Sequence, residues 1–366
     1  MTLDQAYAIQ KWLAEQEFPT TFSASLFFAL FKTYGVPSIS RLLVSTGQFA
    51  SHNDDDDDDK LARTSKRAAD TSVLLTNMVM ARPGSTRAME SKARTNFLHA
   101  SYRRTGKILD DDMLYTLSLF VLEPMLWTEK YEWRRLTDKE RCAMAIFWKA
   151  LGEDLDISYQ QLPSHPQGWA DGLAWLDELD TWRREYADRS MTSSACNAIL
   201  ASSAMDMMLY RLPTTLKPVG RNLLCTLVGP KVGEALRLPL PPTGYQAMLR
   251  FLVSLRKFLL RHLLLPRPYF LRRKYLLDSP QPFTSRYNVA RWQVHPWYVK
   301  PSFQDLWGPR AWLRWARGGA LPGHWDDKFL PAGYRLREVG PAQQIGKGET
   351  EMNEMIETLK AKCCHC

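Results

Sequence analysis

The sequence predicts an all-α fold, and three observations predict it. Apolar residues recur at three- and four-residue spacing through most of the chain, and residues that begin helices stand just ahead of those runs. No alternating apolar and polar run bounded by turn pairs appears at the spacing a sheet needs. With 366 residues, 45% hydrophobic and 24% charged, the chain has enough apolar mass for a substantial core. One large helical bundle over residues 1–345, followed by a tail at 346–366, is the expected organisation.

The elements follow in chain order. The opening "MTLDQAYAIQKWLAEQ" mixes acids, amides and apolar residues, so it lacks the apolar core of a signal peptide. Pro37 stands where a first helical residue would, ahead of "SISRLLVSTGQF". The acidic run within 51–62 repels itself and is expected to be a solvated, mobile loop, with calcium binding a weaker alternative. A helix over 64–81 puts Arg67, Asp70, Thr71 and Leu74 on one face, where an Arg67–Asp70 ion pair at the surface is the plain reading. In "ARTNFLHASYRR", residues 93–104, Asn96, His99 and Arg103 share a helical face, and a core histidine held by Asn96 is the plain reading there.

Asp110, Asp111 and Asp112 favour a helix start, and 113–127 reads as a buried core helix because it is too short and too interrupted by Glu123 and Pro124 to cross a bilayer. Thr137 and Glu140 have capping-box spacing and open a helix to Gly152. Trp169, Leu173, Leu176, Leu179, Trp182 and Tyr186 mark an amphipathic core helix. After Pro266 the chain is rich in proline, glycine and tryptophan. It is expected to wrap the body irregularly, with Trp292, Trp297, Trp307, Trp312, Trp315 and Trp325 packing on the core.

The net charge of +9 is concentrated in 248–277, where arginine and lysine are mixed with leucine and no acid occurs. This segment is read either as a basic amphipathic helix lying in a membrane interface or as a core helix whose arginines snorkel or pair with acids. Nucleic acid is not expected as a partner, since no recognition motif accompanies the charge. Cys142, Cys196 and Cys225 are scattered and "CCHC" at 363–366 is too compressed for a zinc finger, so a reducing, intracellular compartment is expected. Lipidation of Cys363, Cys364 or Cys366 is left open. His165 and His295 precede prolines and read as loop residues, and His262 as a helix-surface residue.

Taken as a series, several segments resemble the family of the fungal mpaB oxygenases and the bacterial rubber oxygenase. They are "YGVPSISRLLVSTGQF", "KRAADTSVLL", "ARTNFLHASYR", "DDMLYTLSLFVLEPMLW", "YEWRRLTDKERCAMAIFWKALG", "GWADGLAWLDELD" and "HPWYV", and they run through most of the chain. The resemblance implies an all-α fold around a b-type haem, with His99 as the axial iron ligand and Asn96, Arg103 and Arg94 in the cofactor-binding set. It also implies that Arg67 and Thr71 face dioxygen, with Asp70 either relaying a proton or holding Arg67. The chain departs from the rubber oxygenases at Asp70, where they carry lysine, and lacks a counterpart of their upstream glutamate.

The implied activity is haem-dependent oxidation of a lipophilic natural-product intermediate in fungal secondary metabolism, plausibly by cleavage of a carbon–carbon double bond. The implied partners are that substrate and dioxygen. Peripheral contact with the endoplasmic reticulum membrane through 248–277 is the expected location, with a free cytoplasmic protein the other option. The alternative function is a non-catalytic binding or accessory protein of the same fold. The oligomeric state is not legible.

Overall fold

The computed structural model describes residues 1–49, 57–277, 280, 284–316, 321–324 and 330–364. Among them helices dominate, with two isolated antiparallel bridges and no strand. The helices are α1 (Leu3–Trp12), α2 (Pro19–Thr33), α3 (Pro37–Ser45), α4 (Asp57–Met80), α5 (Thr86–Arg104), α6 (Asp110–Tyr131), α7 (Asp138–Asp154) and α8 (Gly172–Ser190). They continue with α9 (Ala195–Leu209), α10 (Lys217–Val228), α11 (Pro230–Ala235), α12 (Thr243–His262), α13 (Phe303–Trp307), α14 (Pro309–Ala316) and α15 (Glu349–Cys364). The all-α expectation holds. The chain divides into two compact units, Met1–Asp55 with His99–Arg273, and Asp56–Leu98 with Lys274–Cys366. The division falls inside the continuous helix α5.

The first unit is organised by α6, which packs on α2, α7 and α8. Its three aspartates occupy the first turn, where the dipole favours them. Asp112 is buried there and accepts from Ser38 Oγ at 2.9 Å and from the Tyr186 hydroxyl. The core reading of 113–127 is correct, but the helix continues past Pro124 to Tyr131. Buried Glu123 accepts from Lys32 Nζ at 2.6 Å and Trp127 Nε1 at 3.1 Å, so its charge is matched where it lies.

Helix α7 opens with the expected capping box, Thr137 and Glu140 bonding each other's backbone N–H. The Arg134 fork closes on Glu140 with two bonds of 2.9 Å. Pro37 begins α3 as expected. The 169–186 helix needs correction. It starts at Gly172 because Asp171 caps Ala174 N at 2.8 Å, which leaves Trp169 outside it with its indole on Glu178. Trp175, absent from the expected stripe, is fully buried.

In the second unit α4 begins at Asp57, seven residues before the expected start and inside the supposed acidic loop. The earlier part of that run, 51–56, lies outside the described residues. The expected tail contains α15, whose Met352, Ile356 and Leu359 at i, i+4 and i+7 pack on Met89 and Ala93 of α5. Gly348 makes this approach possible: its φ is +77°, and a Cβ there would stand 2.1 Å from the Phe97 ring.

The described residues between Lys274 and α15 are irregular apart from short helices, as expected, but the indole expectation fails in part. Trp297 is half-buried and donates from Nε1 to Ser65 Oγ at 2.9 Å. Trp307, Trp312 and Trp315 are about half exposed, because α13 and α14 are too short to bury more than one face. Trp325 and the last two residues of "CCHC" lie outside the described residues.

Thr137→Ala is expected to lower stability by about 1 kcal/mol through loss of the α7 cap. The urea midpoint of the variant against the parent measures it, and an unchanged midpoint would remove the cap from the account of α7.

Candidate functional site

Helix α4 carries the expected polar face, and its burial differs from the plain reading. Asp70 is 6% exposed, not on a solvated surface. It pairs with Lys66 one turn earlier, Nζ to Oδ1 at 2.7 Å, and Arg67 also acts on its charge. The Tyr298 hydroxyl donates to the same oxygen at 2.7 Å, and Lys66 Nζ also donates to that hydroxyl at 2.7 Å. Three polar groups thus close on one another inside the second unit. Burial pushes the Asp70 carboxyl above the usual range, while Lys66, Tyr298 and Arg67 pull it back down. Burial and the adjacent carboxylate push the Tyr298 hydroxyl up, which keeps it a donor.

Tyr298 pays for its place with backbone strain, since its φ of +61° is an uncommon conformation for a bulky residue. The lysine ammonium lies 4.7 Å from the centre of its ring, and Tyr334 packs edge-on against it at 5.5 Å. Further along α4, buried Asn77 donates to the Tyr334 hydroxyl at 3.1 Å and accepts from Arg87 Nε at 2.5 Å. One face of α4 is therefore tied to the 295–299 segment and to Tyr334. Arg67 and Thr71 stand half-buried one turn apart, with Thr71 Oγ1 donating to the Arg67 carbonyl at 3.0 Å.

His99 sits in the interior of α5, half-buried, with Nδ1 shielded from solvent. The other three residues expected to serve a cofactor on this helix have structural partners of their own. Arg94 is fully buried and clasps carbonyls, Nε to Val339 O at 2.9 Å and Nη2 to Gln344 O at 2.9 Å, with Lys347 O at 3.4 Å. Asn96 Nδ2 lies 3.9 Å from Met355 Sδ, a weak contact. Arg103 donates to Asp156 O at 2.8 Å and Leu155 O at 3.4 Å, and pairs with Asp110 at 3.3 Å.

These arginines are spent on the backbone because a guanidinium in a helical body meets carbonyls more often than acids. The sequence reading missed Lys66 and Tyr298. Lys66 was legible from its i, i+4 spacing to Asp70, whereas Tyr298 stood only in the quoted "HPWYV" and its contact spans 228 residues.

His99 suits a group that brings most of its own ligands. A haem brings four nitrogen ligands to its iron and would ask the protein for one more donor, which a neutral imidazole on an ordered helix could supply. Among the described residues no group of three or more His, Cys, Asp or Glu could hold a bare metal ion. His262 lies exposed against Phe258 and His165 against Trp169, in keeping with the surface and loop readings. His295 is buried and edge-on to Trp297. In the first unit a cavity of about 460 Å³ is lined by Lys149, Tyr159, Trp169 and Trp175, and none of the expected site residues borders it.

Known proteins share this arrangement of sequence. The family described as ER-bound oxygenase mpaB/B'/Rubber oxygenase, catalytic domain, matches residues 40–258. The chain is 41% identical to the ER-bound oxygenase mpaB' of Penicillium brevicompactum over 98% of its own length and 83% of that protein's. It is 38% identical to the ER-bound oxygenase mpaB of the same organism, over 91% of this chain and 76% of the other. It is 44% identical to the ER-bound oxygenase mpaB of Penicillium roqueforti (strain FM164), over 64% of this chain and 76% of that one.

The Asp70 cluster makes a signed prediction. A carboxyl raised in the folded state favours folding most below its unfolded pKa, and that contribution is lost as pH rises through the raised value. Asp70→Asn should therefore flatten the fall in stability above about pH 4, as read from thermal midpoints between pH 4 and 7. An unchanged pH profile would mean that burial does not govern this carboxyl.

Proposed function

We propose that this chain, which belongs to the mpaB and rubber oxygenase family, holds a b-type haem through His99 and oxidises a lipophilic natural-product intermediate with dioxygen. As a member it is an oxygenase, an oxidoreductase that consumes dioxygen. Cleavage of a carbon–carbon double bond is the reaction we assign to it, in secondary metabolism. Its relatives are named ER-bound, and we place its work at that membrane.

The observation that carries the reading is His99 itself, an imidazole in the interior of a helix with Nδ1 shielded from water. When bound, the haem supplies the one-electron and dioxygen chemistry that side chains lack. His99 would hold it, and the helix around His99 is fixed by the Arg94 and Arg103 contacts with backbone carbonyls. Arg67 carries donors that would hydrogen-bond dioxygen and orient it, and Thr71 would join it once its hydroxyl turns away from the Arg67 carbonyl.

Asp70 does not reverse the local charge, because Lys66 neutralises it within the same turn. The carboxylate accepts from both Lys66 and Tyr298, so it anchors α4. A lysine at the Asp70 position, as in the rubber oxygenases, would find Lys66 beside it.

The visible absorption spectrum of protein produced with adequate haem tests the ligand. A strong haem band in the parent, lost or shifted in His99→Ala, is the expected result. A folded, colourless parent after haem titration would overturn it and favour an accessory role. Arg67→Ala combined with Thr71→Ala should keep the band and lower substrate-dependent dioxygen uptake by about 100-fold. Normal turnover would remove both residues from the mechanism.

A further inference from the structure

Helix α12 is amphipathic in the reverse sense for a soluble protein. None of its residues is buried. Phe251, Leu252, Leu255, Phe258 and Leu259 face outward, with Phe251 66% and Phe258 54% exposed. The exposed apolar surface continues past the helix through Leu263, Leu264 and Leu265 and again at Tyr269, Phe270 and Leu271, where Leu265 reaches 91% and Phe270 81%.

Four basic residues of the same segment, Arg256, Lys257, Arg272 and Arg273, are half-buried and reach the protein. Arg256 donates to the last carbonyl of α6, Tyr131 O, at 2.8 Å and to buried Glu132 at 2.7 Å. Lys257 reaches Glu129 O at 3.5 Å. Arg273 donates from its backbone to Glu15 O at 2.7 Å, and Arg272 lies 3.8 Å from the Glu15 carboxylate. Cations at the C-terminus of α6 satisfy its free carbonyls and its dipole. The side chains expected to attract a membrane electrostatically are in part the ones that fasten the segment to its own unit.

We propose that this surface docks the protein on a phospholipid bilayer monotopically, with Phe251, Phe258 and the 263–271 segment entering the hydrocarbon edge. Arg250, Arg261 and Arg267, all exposed, meet the phosphates of the headgroups. Soluble monomers rarely expose a contiguous apolar patch of this extent.

Charge selects the bilayer over a second copy of the chain. Residues 248–277 contain no acid, so a self-paired interface would set arginine against arginine, whereas a phospholipid offers a phosphate for each. No helix among the described residues is long and apolar enough to cross a membrane. The proposal shares only its membrane setting with the haem reading, and either can fail without the other.

Sedimentation of the full chain with vesicles tests it. The protein should pellet with neutral phosphatidylcholine vesicles and stay bound at about 1 M salt, where the screening length is about 3 Å. Phe251→Glu with Phe258→Glu should reduce the bound fraction at least about tenfold while leaving far-UV circular dichroism and the haem spectrum unchanged. Should that variant fail to fold, Leu265→Glu with Phe270→Glu probes the same surface from the loop. Three outcomes overturn the proposal: binding confined to anionic vesicles and abolished by salt, variants that bind like the parent, or a dimer that these variants dissociate in a protein that ignores vesicles.

Discussion

A guanidinium withdrawn from water must find acceptors for its N–H groups, and the way Arg94 does so organises the second unit. Its acceptors are the carbonyls of Val339, Gln344 and Lys347, so the chain before α15 has to pass close to α5. That passage is tight enough to require Gly348 against Phe97 and Gly340 against Leu98. Once the chain is held there, the Met352, Ile356 and Leu359 stripe falls on Met89 and Ala93. The buried cation thus fixes the helix on which His99 stands, five residues further on.

The same demand recurs with the opposite sign. Glu123 is answered by Lys32 and Trp127, Glu132 by Arg256 and Thr21, and Asp70 by Lys66 and Tyr298. An unanswered buried carboxylate would protonate or unfold its surroundings. A chain with a net charge of +9 has cations to spare for this work. Part of its basic surplus is structural, which is why charge alone misdescribes 248–277. The arginines there divide between the protein and the outside, and the leucines and phenylalanines face out.

Local signals were readable wherever the cause is local. Pro37, the Thr137–Glu140 box and the three aspartates of α6 each act within one turn, and the helices begin where those residues require. The run at 169–186 misled because periodicity extends through a cap without noticing it; Asp171 ends the loop and Trp169 belongs to that loop. The acidic run misled differently, since its charges suggest a loop while its last three aspartates, 57–59, begin a helix. The face of α4 was visible as a pattern, but its partner Tyr298 lies 228 residues away.

The sequence by itself determined the helical class, the starts of α3, α6 and α7, the family and the histidine in the interior of α5. These follow from interactions between residues a few positions apart, or from ordered motifs that need no geometry to be recognised. Tertiary structure decided which charges are buried and which residue answers each. It spent Arg94 and Arg103 on carbonyls, paired Asp70 with Lys66 and Tyr298, and turned the apolar side of α12 outward. Desolvation depends on everything that packs around a group, and no stretch of sequence contains that information.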